Sequence, residues 1–345
     1  MQRVDYIIVG QGLAGSCLAL RLLMCGKKVA VIDEGNPHAA SRVAAGLFNP
    51  VTGKMPALTW MASELFSSLA IFYTEAEKYT RTSFYHPMPV YRPFISLAEQ
   101  YAWMEKATAG EMDAFIQKIH HQQAFAEEVT NPYGGIELRQ CGYINTANFL
   151  KAVKKVVAEQ GIFMDEAFRE SELRLASGYV QYSHLEAGKI VFCTGVSCIR
   201  LFDFVPIRPL KGEVLKLQSS HRPQCIYNRG VYVVPEVWIA GATYTKADQT
   251  CAITGAARTQ LERGLNALIR FPCTITGQDY GFRPTLPDRR PVLGRHPQYP
   301  HVYIFNGLGT KGVSLAPYFS AQLLNYMENG VPLNQIVDVK RYIFR

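Results

Sequence analysis

Six residues near the start of the chain, Gly10-Gln11-Gly12-Leu13-Ala14-Gly15, have the types and spacing to handle phosphate. Glycines at the first, third and sixth places of such a run allow a tight turn, a close main-chain approach to a pyrophosphate, and close packing of helix on strand. The helix that follows then offers free N–H groups and partial positive charge to the anion. Asp33 lies 23 residues beyond Gly10, at the end of a second apolar run, where a carboxylate accepts hydrogen bonds from a ribose diol. Glu34 beside it reads either as a second ribose ligand or as a solvated surface acid. These residues predict a dinucleotide site without separating one dinucleotide from another.

A second run of the same spacing, Gly307-Leu308-Gly309-Thr310-Lys311-Gly312, follows Asn306. No further strand ending in an acid comes after it, so a complete second nucleotide unit is not expected. The turn would instead aim a helix N-terminus at a ligand that gains negative charge, as a reduced flavin does along its N1/C2-oxygen edge. An organic substrate, rather than a nicotinamide, is then the expected reductant. The segment Ala40-Ser41-Arg42-Val43-Ala44-Ala45-Gly46-Leu47 is rich in small residues. Small side chains let main chain approach a flat isoalloxazine ring, or simply pack a helix or loop tightly.

The elements that must hold these residues follow from periodicity. Residues 6–9 and 29–32 are unbroken apolar runs, predicting parallel strands buried on both faces, with an apolar helix between them that Gly26 ends. Helices are expected over residues 60–80, 97–109, 151–160, 256–269 and 313–327. Strands are expected at 189–193, ending at Thr194-Gly195, and at 302–305, and an extended stretch at 85–96. Short strands at 214–217, 231–234 and 237–240 suggest an antiparallel sheet within 208–245. The α/β pattern recurs at the start, middle and end, so the expected organisation is a discontinuous nucleotide domain interrupted twice by another domain.

Composition sets the outer bounds. With 48% hydrophobic and 19% charged residues over 345 positions, the chain reads as globular, and disorder, collagen-like repeats and coiled coils are excluded. The apolar runs are too short to cross a bilayer, and no secretory signal is evident, so a cytoplasmic location is the default expectation. Eight scattered cysteines, without a paired motif or nearby histidine at ligand spacing, predict reduced thiols and no metal site. His120, His121 and His184 read as surface residues. The net charge of +8 is spread thinly, its densest groups being pairs such as Arg289-Arg290. A basic surface helped by an anionic cofactor and a nucleic-acid partner account for it about equally.

The chain resembles the D-amino-acid oxidase superfamily, and within it the glycine oxidase and sarcosine oxidase-like branch. The motifs that carry the resemblance are the opening fingerprint, residues 41–47, Gly142-Tyr143-Ile144-Asn145 and the run 189–195. They continue in Pro209-Leu210-Lys211-Gly212-Glu213-Val214, Gly241-Ala242-Thr243, Gly281-Phe282-Arg283-Pro284 with Asp288, Pro291 and Gly294, and the last glycine turn. The resemblance implies an α/β fold, α+β overall: a Rossmann-like FAD-binding domain (residues 1–84, 140–207 and 280–345) with an interleaved antiparallel-sheet substrate domain (85–139 and 208–279). It implies non-covalent FAD, since no cysteine follows Cys273 to act as a tether. FAD would be held by Gly10, Gly12, Leu13, Ala14, Gly15, Asp33, Glu34, Ser41, Arg42, Ala45, Gly46, Leu47, Gly195, Gly307, Gly309, Thr310, Lys311 and Gly312.

The resemblance also supplies substrate roles. Arg283 looks like the arginine that grips a substrate carboxylate, a task suited to its planar fork; a structural salt bridge is the other reading. Tyr232 resembles a pocket tyrosine that hydrogen-bonds the same carboxylate, and Tyr244 another pocket side chain, though either could be a packed sheet residue. Thr310 stands where glycine oxidases have an arginine. Lys311, which they lack, would touch the flavin edge or face solvent. The implied reaction is hydride transfer from the α-carbon of a small amine or amino acid to flavin N5, giving an imine that hydrolyses, with oxygen or a quinone as electron acceptor. Two alternatives stay open: a flavin oxidase acting on the N-carboxymethylaminomethyl arm of a tRNA wobble uridine, and a non-catalytic nucleotide-binding Rossmann protein.

Overall fold

The computed structural model describes residues 1–52, 57–108, 110, 112–197 and 199–343. At its centre the strand Gln2–Val9 lies between parallel strands Val29–Ile32 and Leu185–Phe192, with Ile162–Met164 and Val302–Asn306 extending the parallel set outward. Tyr6, Ile7, Ile8 and Val9 are all buried. A strand paired on both edges and covered on both faces has no wet side, which is why it reads as a continuous apolar run rather than an alternation. Antiparallel strands Val180–Tyr182, Leu173–Leu175 and Val292–Arg295 complete eight.

A second eight-stranded sheet runs in the order Thr274–Thr285, Arg208–Gln218, Ile239–Gly241, Val231–Val234, Ile226–Arg229, Val90–Pro93, Gly135–Leu138 and Ile116–His120. Its pairs are antiparallel except for Ile226–Arg229 with Val90–Pro93. The fold class is mixed α/β, as expected. Two of these strands, Ile116–His120 and Gly135–Leu138, were not foreseen: the first is a largely polar edge strand with no alternation to reveal it. His120 is correspondingly not a surface residue. It is half-buried, bonds to Glu137 and packs edge-on against Tyr91 and Phe125.

Helix Leu13–Met24 has ten of its twelve residues buried and packs against helices Thr146–Gln160 and Gly312–Asn329. The first of these begins five residues before the expected 151, because the Asn145 side chain accepts from Asn148 N at 3.1 Å and starts it early. The strand expected at 237–240 is Ile239–Gly241, since Glu236 and Trp238 take positive φ of 66° and 48° in a tight turn. The helix expected to reach Ala109 is Leu97–Thr108, and Ala109, like Cys198, lies outside the described residues. The seven described cysteines are unpaired thiols.

Pro317 sits inside helix Gly312–Asn329 and has no N–H for the carbonyl of Val313. The buried Tyr73 hydroxyl, from helix Ala62–Thr80, donates to that carbonyl at 3.1 Å. Arg21, from the first helix, donates to Pro317 O and Ser320 Oγ at 2.9 Å each and lies over the Phe72 ring. The proline therefore ties three helices together beneath the site.

Candidate active site

Gly10 closes the first strand with φ of 98°, and a Cβ there would lie 2.5 Å from Cys193 O on the neighbouring strand. Only glycine lets the chain turn so tightly against a parallel neighbour. Helix Leu13–Met24 then starts without a side-chain cap from Gly12. Ser41 Oγ, arriving from the small-residue segment, accepts the Leu13 N–H at 3.0 Å, which leaves its own hydroxyl proton free to donate. Asp33 is fixed by Gln11 N at 2.7 Å, Gly35 N at 2.8 Å and the Arg42 guanidinium at 3.1 Å. Arg42 is thus committed to Asp33.

Arg283 lies on Thr274–Thr285 opposite Leu210. Its guanidinium rests over Gly212, where a Cβ would fall 2.1 Å from Nη2, so glycine makes room for it. Nη1 donates to Thr243 O at 3.1 Å, and the group lies 4.6 Å from the Tyr244 ring centre. No carboxylate partners Arg283 among the described residues, so the salt-bridge reading fails. Tyr232, on Val231–Val234, stands beside it; its hydroxyl bonds to no protein group among the described residues. Burial holds this phenol above its ordinary pKa, and the Arg283 charge only partly offsets that. Tyr244 is 63% exposed at the same site.

The final glycine turn is fastened by Asn306 Nδ2 to Gly195 O at 2.9 Å and by Gly309 N to Pro284 O at 2.9 Å. Helix Gly312–Asn329 begins behind it with no side-chain cap from Lys311. Lys311 does not face solvent: Nζ donates to Thr52 Oγ1 at 3.3 Å and Thr59 Oγ1 at 3.1 Å. Burial, then the charges of Arg290 and Arg289, lower its pKa from the usual lysine value.

These pieces line one continuous cleft of about 2940 Å³, several times the roughly 300–1,000 Å³ of a typical small-ligand site. It runs from Gly10, Gly12, Leu13, Ala14, Asp33 and Glu34, past Ser41, Ala45, Gly46, Leu47 and Gly195, to Gly307, Gly309, Thr310, Lys311 and Gly312, with Tyr232, Tyr244 and Arg283 alongside. Gly15 and Arg42 do not line it: Gly15 packs on Gly10 O, and Arg42 borders a smaller hollow behind. Sequence reasoning missed Trp60, Thr52, Thr59 and Arg290 as lining residues. The Arg289-Arg290 pair was visible, but only as charge. Among the described residues no cluster suited to a metal ion exists, and no helix is long and apolar enough to cross a membrane.

Comparison with known proteins agrees with this geometry. Glycine oxidase from Geobacillus kaustophilus superposes with a TM-score of 0.82 over 96% of each chain at 19% identity. Iminodiacetate oxidase from Chelativorans sp. gives 0.79 over 98% of each at 20% identity, so both share the fold. In sequence, the bifunctional protein ThiO/ThiG of Nostoc sp. is 26% identical over 92% of this chain and 51% of its own length. The tRNA 5-methylaminomethyl-2-thiouridine biosynthesis bifunctional protein MnmC of Haemophilus ducreyi is 22% identical over 96% of this chain and 57% of its own. The chain spans about half the length of the curated relatives it matches. The model of the DAO family, FAD dependent oxidoreductases, matches residues 5–327, and with the two glycine turns and the cleft between them accounted for in that match, the chain belongs to this family of flavoenzymes.

Proposed function

We propose that the protein oxidises the C–N bond of a small carboxylate-bearing amine (glycine, an N-substituted glycine or a D-amino acid) to an imine that water hydrolyses. The observation that carries this reading is an arginine without a carboxylate partner, Arg283, opening beside Tyr232 on the cleft that also holds the turn 307–312. A guanidinium so placed favours a carboxylate, which it grips through two parallel hydrogen bonds. Belonging to an FAD dependent family removes the alternative of a non-catalytic nucleotide-binding protein.

The residues fit FAD. The helix that begins at Leu13, with the Ser41 hydroxyl proton, would take the pyrophosphate, and Asp33 the adenosine ribose. The small residues 44–47 and the turn 307–312 would border the flavin ring. FAD, when bound, supplies the acceptor for the hydride that leaves the substrate α-carbon. Arg283 anchors the carboxylate, and Tyr232, held protonated by its raised pKa, donates a second hydrogen bond to it. Arg283 and Lys311 disfavour a protonated amine nearby, keeping its lone pair available. The N-terminus of Gly312–Asn329 favours negative charge at the ring edge. On this reading the parallel sheet belongs to a nucleotide domain of residues 1–84, 140–207 and 280–345, and the second sheet to a substrate domain. Oxygen or a quinone would take the electrons onward.

Anaerobic titration of the yellow holoenzyme with glycine, sarcosine, D-alanine and D-proline tests the proposal. Bleaching by at least one is expected; a flavin that none of them reduces overturns it. A second reading, oxidation of the carboxymethylaminomethyl arm of a tRNA wobble uridine, draws on exposed Arg208, Lys246 and Arg289 along the cleft. It requires tRNA binding that weakens steeply with salt.

A further inference from the structure

The wall that carries Arg283 continues directly into a second group of cations. Gly309 N bonds to Pro284 O, and Gly307 packs against Leu286 and the carbonyl of Arg290. Residues 283–290 and the turn 307–312 therefore form one surface. On it, Lys311 Nζ uses two of its three donors on the neutral hydroxyls of Thr52 and Thr59. Arg290 lies over the Trp60 ring at 4.3 Å. Neither cation has a carboxylate partner among the described residues, and the acids that line the cleft, Asp33, Glu34 and Glu170, pair with neither.

We propose that Lys311 and Arg290 form a second anion subsite, and that the preferred substrate is a doubly anionic amine: a glycine unit held by Arg283, with an N-substituent ending in a second carboxylate. This rests on the amine-oxidising reading of the site and narrows it. Two neighbouring cations in a partly dry wall repel each other and each loses solvation, a cost that an entering anion relieves. The FAD pyrophosphate would take the amides of the turn that begins at Gly10 and the Ser41 hydroxyl, a donor set that includes neither cation. A substrate with a neutral N-substituent leaves the two cations uncompensated. A second carboxylate satisfies the remaining Lys311 donor and the Arg290 fork together.

The test uses the oxidised holoenzyme and two redox-inert thioethers of matched shape, thiodiacetate and (isobutylthio)acetate, with binding measured by calorimetry. Thiodiacetate is expected to bind at least about tenfold more tightly, a difference of about 1.4 kcal/mol. Arg290→Gln and Lys311→Met should each shrink that ratio toward one, while Arg290→Lys retains most of it. Equal affinities in the wild type, or a ratio unmoved in both neutralising variants, overturn the subsite. Anaerobic reduction by N-(carboxymethyl)glycine and N-isobutylglycine separates this proposal from the one beneath it. Reduction by both with equal kcat/KM sinks the subsite and leaves amine oxidation standing. Preferred binding of thiodiacetate with no reduction by either amine, nor by glycine or sarcosine, sinks amine oxidation and leaves the subsite standing.

Discussion

At the scale of single residues, the site depends on charges left without partners. Arg283 is held by a main-chain carbonyl and an aromatic face rather than by an acid. Its position is therefore fixed while its charge stays available. Arg283→Ala should retain FAD yet lower kcat/KM for carboxylate substrates by the equivalent of about 2–5 kcal/mol, as for truncation of one partner in a buried charge pair. Steady-state kinetics beside the flavin absorbance would show this, and unchanged kinetics would remove Arg283 from the site. Tyr232→Phe should have a smaller effect, about 1 kcal/mol, since it removes one hydrogen bond and leaves the guanidinium in place.

Elements meet the site through a few specific joints. Because Pro317 leaves the Val313 carbonyl without a helical donor, the Tyr73 hydroxyl is its substitute. Tyr73→Phe should lower stability by about 1–3 kcal/mol, the usual penalty for a buried acceptor left unsatisfied. Denaturant midpoints would measure it. At the other end of the same helix, Glu328 accepts from Tyr6, Lys27 and Lys189, joining the helix to the central sheet. Burial alone would raise the Glu328 pKa, but those hydrogen bonds outweigh it and hold it at about 2, below the ordinary 4.5. A depressed carboxylate stabilises the fold fully above its unfolded pKa, and the contribution disappears as pH falls through the folded one. Stability should therefore decline between about pH 4.5 and 2 with a component that Glu328→Gln lacks. Parallel curves for the two proteins would refute the link.

For the whole molecule, the two glycine turns and the Arg283 wall line one cleft. Bound FAD would bridge parts of the chain far apart in sequence and stabilise the folded state by mass action. At a free concentration of about 100 times its Kd the gain is about 2.7 kcal/mol. The melting temperature should thus rise with added FAD, and Gly10→Ala should abolish that rise through a clash with Cys193 O at a φ that alanine resists. A melting temperature indifferent to FAD would argue against the assigned cradle.

The sequence by itself determined the parts whose chemistry is local. The first glycine turn, the acid at position 33, the buried parallel strands and the glycine turn before the last helix are each encoded within about thirty residues, where turn geometry and apolar periodicity leave few choices. Other features were settled only by tertiary structure. Arg42 turns to Asp33 rather than to the cleft, His120 is drawn inside by an edge strand, and Lys311 folds back onto Thr52 and Thr59. In each case a flexible polar side chain chose among partners that neither turn geometry nor apolar periodicity records. Arg290 and Lys311 show the same limit: they are 21 positions apart, and only the packing of the last turn against residues 284–290 makes them neighbours.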